Sequence, residues 1–435
     1  MNPKTNSKTL LEKFLLGVFA VAVGLPGLVQ AQTGIDPGLT TTGTSSGQQA
    51  VANLLNAQPC IVGGSAAQNI AQATAAVANL RACGGKYGGS AVQQLSNQAD
   101  IQVNTTVVAS PAETARVVRC LSAKRNGVEE PGCDDVMAGV AHTSAAPGGA
   151  IAGPLGLSFV VRGDKGKQDT VSGQTGFDAS AGMLTAGLDY RFSEKWVAGI
   201  SFAYQHTKLD FDLNSGTLSN DAYRLAPFFS YAVTPDMLID GLIGVGFLDY
   251  DSNRTCTACV QPLVNTASFH GTQWFGSIGI GKSWQVGASA LRGYLRGDYV
   301  QVDTDGYTET GTFITGTKTT TALQVEGQSA KSLTSVFGIR ASRAISTRNG
   351  VITPSARVEW VHEFDDNSRT INSQFVNVPG PMTVTTVGAV SNWANVGIGL
   401  QMNFAHSLAG FLDYVYMYKT DASNNALSIG IRWEL

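Results

Sequence analysis

The last nine residues, LSIGIRWEL (427–435), alternate strictly. Leu427, Ile429, Ile431, Trp433 and Leu435 are apolar, while Ser428, Gly430, Arg432 and Glu434 between them are small or charged. An extended chain sends successive side chains to opposite faces, so this is a strand with one apolar and one polar face. The same period of two recurs from about residue 155 onward. In GMLTAGLDYRF, Leu184, Ala186, Leu188, Tyr190 and Phe192 oppose Thr185, Gly187, Asp189 and Arg191. In ALRGYLRGDYV, Leu291, Leu295 and Tyr299 oppose Arg292, Tyr294, Arg296 and Asp298. In ITPSARVEWV, Ile352, Ala356, Val358 and Trp360 oppose Thr353, Ser355, Arg357 and Glu359. The pattern predicts twelve strands, near 156–165, 179–192, 195–209, 221–233, 237–250, 268–285, 288–302, 331–345, 351–364, 391–404, 408–419 and 426–435.

The polar faces decide the architecture. Asp189, Arg191, Arg292, Arg296, Asp298, Arg340, Arg357, Glu359 and Arg432 would share one interior, too many charges for a dry packed core. A wide lumen accepts them, and the apolar faces then need lipid. A mainly β chain closed into a twelve-stranded antiparallel transmembrane barrel satisfies every backbone group inside a membrane. Connection lengths agree. SEK, TPD, QVG, STRNG and AHS are short, and they alternate with long connections near 166–178, 210–220, 251–267, 303–330 and 365–390, with a moderate one at 420–425. Outer-membrane barrels have short periplasmic turns and long outer loops. A soluble β-sandwich predicts no such alternation. Tyr190, Phe192, Trp196, Tyr231, Trp284, Phe404 and Trp433 gather beside the short turns, like an interfacial girdle. Pro227 and Pro354 interrupt strands and predict a bulge or irregular pairing at each.

Composition is compatible with this. Charged residues are 14% of the chain, against roughly 25% in average soluble domains. The net charge of −3 gives no reason to expect nucleic acid.

The N-terminal third has another period. Lys4, Lys8 and Lys13 precede the apolar FLLGVFAVAVGL, then Pro26 and the small-x-small Val29-Gln30-Ala31, which together read as a secretory signal peptide over 1–31. The apolar core is short for a membrane-spanning helix. Residues 32–45 form a flexible leader. Residues 46–133 carry helical spacing, for instance in SPAETARVVRCLSA, with Ser110 as N-cap, Pro111 at the first helical position and Glu113 two further on. Residues 134–154 read as a linker, so a small α-helical region precedes the barrel at 155–435. Six cysteines in an exported chain favour disulfides. Cys60, Cys83, Cys120 and Cys133 allow three pairings, of which sequential pairing is the expectation; Cys256 and Cys259 would close a local loop.

Three motifs suggest chemistry and fail on context. GSIGIGKS (276–283) fits a phosphate loop, but it lies inside one alternating strand and no helix follows. GTSSG (43–47) fits a nucleophile elbow, but no strand precedes Ser45. CTAC (256–259) lacks the βαβ setting of a redox pair. The expectation is a non-enzymatic protein with no catalytic residues, no metal and no cofactor.

Two stretches, AGMLTAGLDYRFSEKWVAGISFAYQHTKLDF and GVITPSARVEWVHEFDDNSRTI, carry a family resemblance. Residues 155–435 resemble the C-terminal translocator domain of the autotransporters, the type V secretion proteins. GQQAVANLLN and SAVQQLSNQAD are similar to the helical stretch many of them carry before the barrel. The resemblance implies the outer membrane of a Gram-negative bacterium, with long loops at the cell surface. It implies outer-membrane lipid, periplasmic chaperones and the barrel assembly machinery as partners. It implies translocation or display of a short N-terminal region, since little remains for a passenger. The family usually ends in an aromatic residue that serves as an assembly signal; here Trp433 and Leu435 stand in that place. The four N-terminal cysteines depart from the family pattern, because large disulfide loops hinder passage through a narrow pore. The competing reading is a stand-alone pore, or an adhesin acting through its extracellular loops, whose surface ligand the sequence does not name.

Overall fold

The structure is a computed structural model. It describes residues 154–435 except 171–174, 194, 213–214, 235, 257–262, 288, 314–321, 348–349, 377–380, 387 and 404–407. The signal peptide, leader, helical region and nearly all of the linker expected above lie outside the described residues, as do Cys60, Cys83, Cys120, Cys133, Cys259 and Phe404.

Among the described residues eighteen strands follow one another. They are β1 (Leu155–Gln168), β2 (Phe177–Arg191), β3 (Trp196–Phe211), β4 (Gly216–Thr234), β5 (Met237–Cys256), β6 (Leu263–Val286) and β7 (Ser289–Thr304). Then come β8 (Tyr307–Thr308), β9 (Thr310–Phe313), β10 (Leu323–Val325), β11 (Gln328–Ser342), β12 (Ile345–Thr347) and β13 (Gly350–Glu363). The last are β14 (Thr370–Phe375), β15 (Pro381–Thr385), β16 (Asn392–Asn403), β17 (Leu408–Lys419) and β18 (Ala422–Glu434). Twelve of these form a closed antiparallel barrel. Sequential neighbours pair from β1 to β7, then β7–β11–β13–β16–β17–β18, and β18 returns to β1 from Gly156↔Glu434 to Gln168↔Ala422. Among the described residues there is no α-helix.

Closure removes both sheet edges, and the alternation then decides which residues meet the surroundings. Outward positions are apolar and exposed: Leu184, Leu188, Ile200, Leu225, Ile243, Ile278, Leu295, Val358, Ile398, Ile429 and Ile431. Inward positions carry the buried charges. This is the reverse of a soluble barrel. Aromatic side chains bracket the apolar band. Trp196 stacks on Phe229 and meets Tyr231 edge-on beside the short turns, with Tyr190 against Phe192. On β6, Trp284 and Trp274 mark the two ends of the band. Ten residues at about 3.3 Å each, tilted by about 40°, give a height of about 25 Å.

The twelve expected strands are all present, but several extend further than the sequence suggested. β5 and β6 stay paired to Cys256↔Leu263, so the expected loop 251–267 shrinks to 257–262. β17 and β18 meet at Lys419↔Ala422, so the connection expected at 420–425 is a two-residue turn, with Asp421 at φ 58°. β4 begins at Gly216, which no other residue could replace easily: its φ is +132° and the backbone of Asn253 occupies the space of a Cβ. Beyond the lipid band the outward face meets water, so the apolar contrast that reveals a strand disappears.

The two prolines interrupt ladders without shifting them. On the β5 side of β4, pairing runs through Leu225↔Val245, omits Ala226 and Pro227, and resumes at Phe228↔Leu242 in the same register. Pro354 pairs with Leu400 on one side; on the other it faces the break between β11 and β12, where its carbonyl accepts from the Arg343 N–H at 3.2 Å. The expected irregularity is therefore a gap rather than a bulge. The register shift of this sheet lies elsewhere, between Ala232 and Thr234.

A second sheet was not foreseen. Strands β8, β10, β14 and β15, from within the expected loops 303–330 and 365–390, form a separate four-stranded sheet in the order β15-β14-β10-β8. Its apolar residues Tyr307, Leu323, Val325, Ile371, Phe375, Met382 and Val384 join one buried cluster with the inward residues Leu209, Phe211, Leu218, Leu248, Tyr250, Phe269, Val300 and Val302. The sheet therefore lays its apolar face on the inner wall at the loop end of the barrel. Phe269 stacks between Tyr250 and Tyr307, with ring centroids 4.9 and 4.3 Å away.

Candidate functional site

The barrel interior is the candidate site, and it has two zones. Most of its buried charges lie toward the short turns, and the apolar cluster shared with the second sheet lies toward the loops.

In the charged zone, Asp189, Arg292, Arg296, Asp298, Arg340, Arg357, Glu359 and Arg432 are all buried. Arg191 departs: it is half-buried at the end of β2, beside the turns. Three contacts share one construction. Arg432 on β18 donates to both oxygens of Asp189 on β2, at 2.7 and 2.9 Å. The strand between them is β1, and there Gly156 pairs with both Glu434 and Asp189. A Cβ at Gly156 would overlap the Arg432 guanidinium. Arg357 on β13 likewise donates to both oxygens of Asp413 on β17, at 3.0 and 3.1 Å. It crosses β16 at Gly397, where a Cβ would stand 2.8 Å from Arg357 Cζ. Tyr294 on β7 donates to Glu359 on β13 at 2.5 Å, crossing β11 at Gly338, which pairs with both residues.

In each case a long side chain lies along the wall, crosses one strand at a glycine, and reaches a carboxylate two strands away. Arg224 does the same with an amide. It crosses β5 at Gly246 to reach Gln273 at 2.8 Å, and it also donates to Gln205 at 2.6 Å. The bidentate pairs are the strong, geometrically specific form of such contacts. One of them spans the β18–β1 seam where the sheet closes. The sequence showed the charges and the glycines but gave no register, so it could not show that they align.

Elsewhere in this zone Arg296 donates to Asp298 at 2.9 Å, and Ser277 donates to Asp298 at 2.6 Å. Asp236 lies in the turn between β4 and β5. It accepts from Thr234 at 2.6 Å and pairs with Lys282 at 3.3 Å. The Thr234 hydroxyl first, and the Lys282 ammonium after it, hold the Asp236 carboxyl below its usual range. Lys282 belongs to the phosphate-loop-like stretch, which is an unbroken part of β6.

In the apolar zone one ion pair is fully enclosed. Arg254 and Glu309 meet at 2.5 Å with neither side chain exposed, and Glu309 also accepts the Leu323 N–H at 2.8 Å. Glu309 lies between β8 and β9, so this pair ties the second sheet to the barrel wall. Neither residue was singled out from sequence. Both fall within connections expected from the sequence, 251–267 and 303–330, where no period of two marks which side chain turns inward.

Cys256 ends β5 opposite Leu263, while Cys259, its expected partner, lies outside the described residues. Trp433 and Leu435 project outward, 55% and 51% exposed, and the Leu435 N–H donates to Leu155 O at 3.0 Å. Among the described residues no group of His, Cys, Asp and Glu could hold a metal ion.

With this geometry in view, the chain can be compared with known proteins. Residues 159–415 match the model of the autotransporter beta-domain family. The esterase EstA of Pseudomonas aeruginosa is 22% identical over 261 residues, a stretch covering 58% of this chain and 38% of that protein. The chain thus spans well under half the length of that relative. The translocator domain of autotransporter NalP from Neisseria meningitidis is 17% identical, with a TM-score of 0.50, covering 67% of this chain and 90% of that one. The beta domain of the Bordetella autotransporter BrkA has a TM-score of 0.47 at 14% identity, covering 65% of this chain and all of that one. The strand order and inverted faces of the present barrel agree with the family match over residues 159–415: the chain belongs to the autotransporter beta-domain family.

Proposed function

We propose that this protein anchors in the outer membrane through residues 155–435 and translocates or displays its own N-terminal region. The observation that carries the reading is the inversion of the barrel's faces. Ile429, Ile431 and Trp433 are more than half exposed, while Arg432 among them is 1% exposed. Only an apolar surrounding makes such an outside favourable. Family membership supports the transport role. Signal-directed export through residues 1–31, chaperone-assisted delivery and insertion by the barrel assembly machinery belong to the same proposal. So do the disulfide pairings and a non-enzymatic role, since the part shared with EstA is the barrel.

The test is a protease-cleavable epitope tag after Gln32, with a second tag in 314–321 to report orientation. Cleavage of both tags in intact cells supports display of the N-terminal region. Cleavage of the loop tag alone, with the N-terminal tag cut only after permeabilisation, refutes translocation.

A second reading, an adhesin acting through its loops, is favoured by one observation: the connections after β7 and β13 build an ordered sheet rather than open loops. A free diffusion pore is less well supported, because apolar side chains occupy the inner wall beneath that sheet.

A further inference from the structure

The inward glycines Gly156, Gly246, Gly338 and Gly397 each leave room for a side chain that crosses them. Two outward glycines have no such task. Gly163 on β1 and Gly182 on β2 are exposed and lie abreast in the register, and a Cβ at either would meet nothing within 4 Å. Two positions away on the same strands, Val161 and Leu184 face out on one side, and Lys165 and Ser180 on the other. The pair therefore stands on the border where the apolar band gives way to polar residues at the loop end. Glycine is a poor strand residue, and within a strand it often marks the close approach of something else.

Around the two glycines the outer wall has a notch of about 440 Å³. Leu427 and Tyr414 continue the same row across β18 and β17 and form one side; His206 on β3 forms the other. Leu427 and His206 are three strand spacings apart, about 14 Å. Both sides are held in place. The Tyr414 hydroxyl donates to Asn425 Oδ1 at 2.6 Å, and His206 Nδ1 meets Asp221 Oδ1 at 2.9 Å. All five residues are exposed, so the notch is open to whatever surrounds the barrel. Lys165 stands at its loop-side edge. The nearby Lys167 and Lys208 are paired with Asp169 and Asp210, at 3.1 and 2.7 Å. Lys165 has no carboxylate partner among the described residues.

We infer that this notch seats one acyl chain of a phosphorylated membrane lipid, with Lys165 on its phosphate. The inference rests on the membrane-anchoring reading, which puts this wall against lipid. A closed apolar cavity of about 150 Å³ admits a benzene ring, so about 440 Å³ has room for on the order of a dozen carbon atoms. The glycine floor and the Leu427 and Tyr414 side suit methylene groups. The ammonium of Lys165, at the level where the apolar band ends, supplies the charge that complements an anionic headgroup. A second copy of this chain fits less well. Two copies in one membrane are related by an axis along its normal, and an axis at the notch would bring the two Lys165 side chains together.

The experiment inserts the full-length protein into phosphatidylcholine vesicles, extracts it in detergent and follows added lipid by native mass spectrometry. The probes are bisphosphorylated lipid A and its dephosphorylated form. Retention of one bisphosphorylated molecule per chain, in preference to the dephosphorylated one, is expected. Gly182→Leu fills the notch without a clash, so it should abolish that retention and leave thermal stability unchanged or higher. Lys165→Gln should weaken retention about fivefold, the worth of one lysine beside anionic lipid, and remove most of the preference for phosphate. Failure to insert overturns the anchoring reading and the inference with it. Insertion followed by equal retention of the two forms overturns the inference alone, as does retention that neither variant changes. A dimer that Gly182→Leu dissociates, with no lipid retained, would give the notch to a second copy and overturn it too.

Discussion

Arg432 holds Asp189 across an intervening strand, and the two hydrogen bonds pass over Gly156. The pair belongs to no single hairpin. It bridges the last strand to the second, over the first, and so fastens the seam by side chains as well as by backbone. Removing one member of a buried pair costs about 3–5 kcal/mol, because the other charge is left without its partner. Asp189→Ala should therefore lower the urea midpoint of the barrel in lipid vesicles far more than the paired change Asp189→Leu with Arg432→Met. Equal loss in the single and double variants would show that the pair has no seam-specific role.

The glycine crossings predict a steric coupling. At Gly338 a methyl group would overlap the Tyr294 ring. Gly338→Ala should destabilise by about 1–3 kcal/mol through overpacking. Tyr294→Leu should suppress much of that cost, since the shorter side chain vacates the crossing. A double-mutant cycle on unfolding free energies reads the coupling, and strict additivity would mean that the ring does not press on the glycine.

The second sheet should depend on its buried ion pair. Glu309→Gln leaves Arg254 enclosed beside a neutral group and weakens the bond to the Leu323 N–H. Faster hydrogen exchange at Leu323, together with faster proteolysis within 303–330, is expected while the barrel strands stay protected. Exchange unchanged at Leu323 would show that the apolar cluster alone holds the sheet.

Asp236 provides a pH readout at the short-turn end. Its carboxyl is held low in the folded protein, so its contribution is present above the ordinary carboxylate range and is lost as the pH falls through the depressed value. Thr234→Ala removes the largest cause and should raise the carboxyl toward its usual value, as followed by NMR titration. Lys282→Met should raise it less.

Much of the fold was legible because lipid enforces it. Where Leu184, Ile278 or Ile431 faces the apolar surroundings, its neighbours in sequence must face inward, and the period of two cannot lapse. Beyond the band that constraint ends. Asp249, Asp251 and Asn253 are exposed to water on the outer face of β5, while Tyr250, Ser252 and Arg254 stay buried inside. Polar residues then stand on both faces, and the strand resembles a loop. The strands β8, β10, β14 and β15 are two to six residues long, too short for alternation to register. The interior charges were visible one at a time, Arg191 excepted in its burial. Their partners were not, because which carboxylate an arginine reaches depends on strand register and on where a glycine lets it cross.

The seam also sets a clock on folding. Asp189 and Arg432 are 243 residues apart in sequence, and β1 finds its second neighbour only in β18. No local rearrangement can substitute for a partner that has not yet been made. While synthesis continues, the chain holds strands with open edges and apolar faces, and it has no closed state to enter. Such high contact order makes closure a late, cooperative event. Without β18 (Ala422–Glu434) both β1 and β17 would keep an open edge, so this one strand decides whether the ring closes at all.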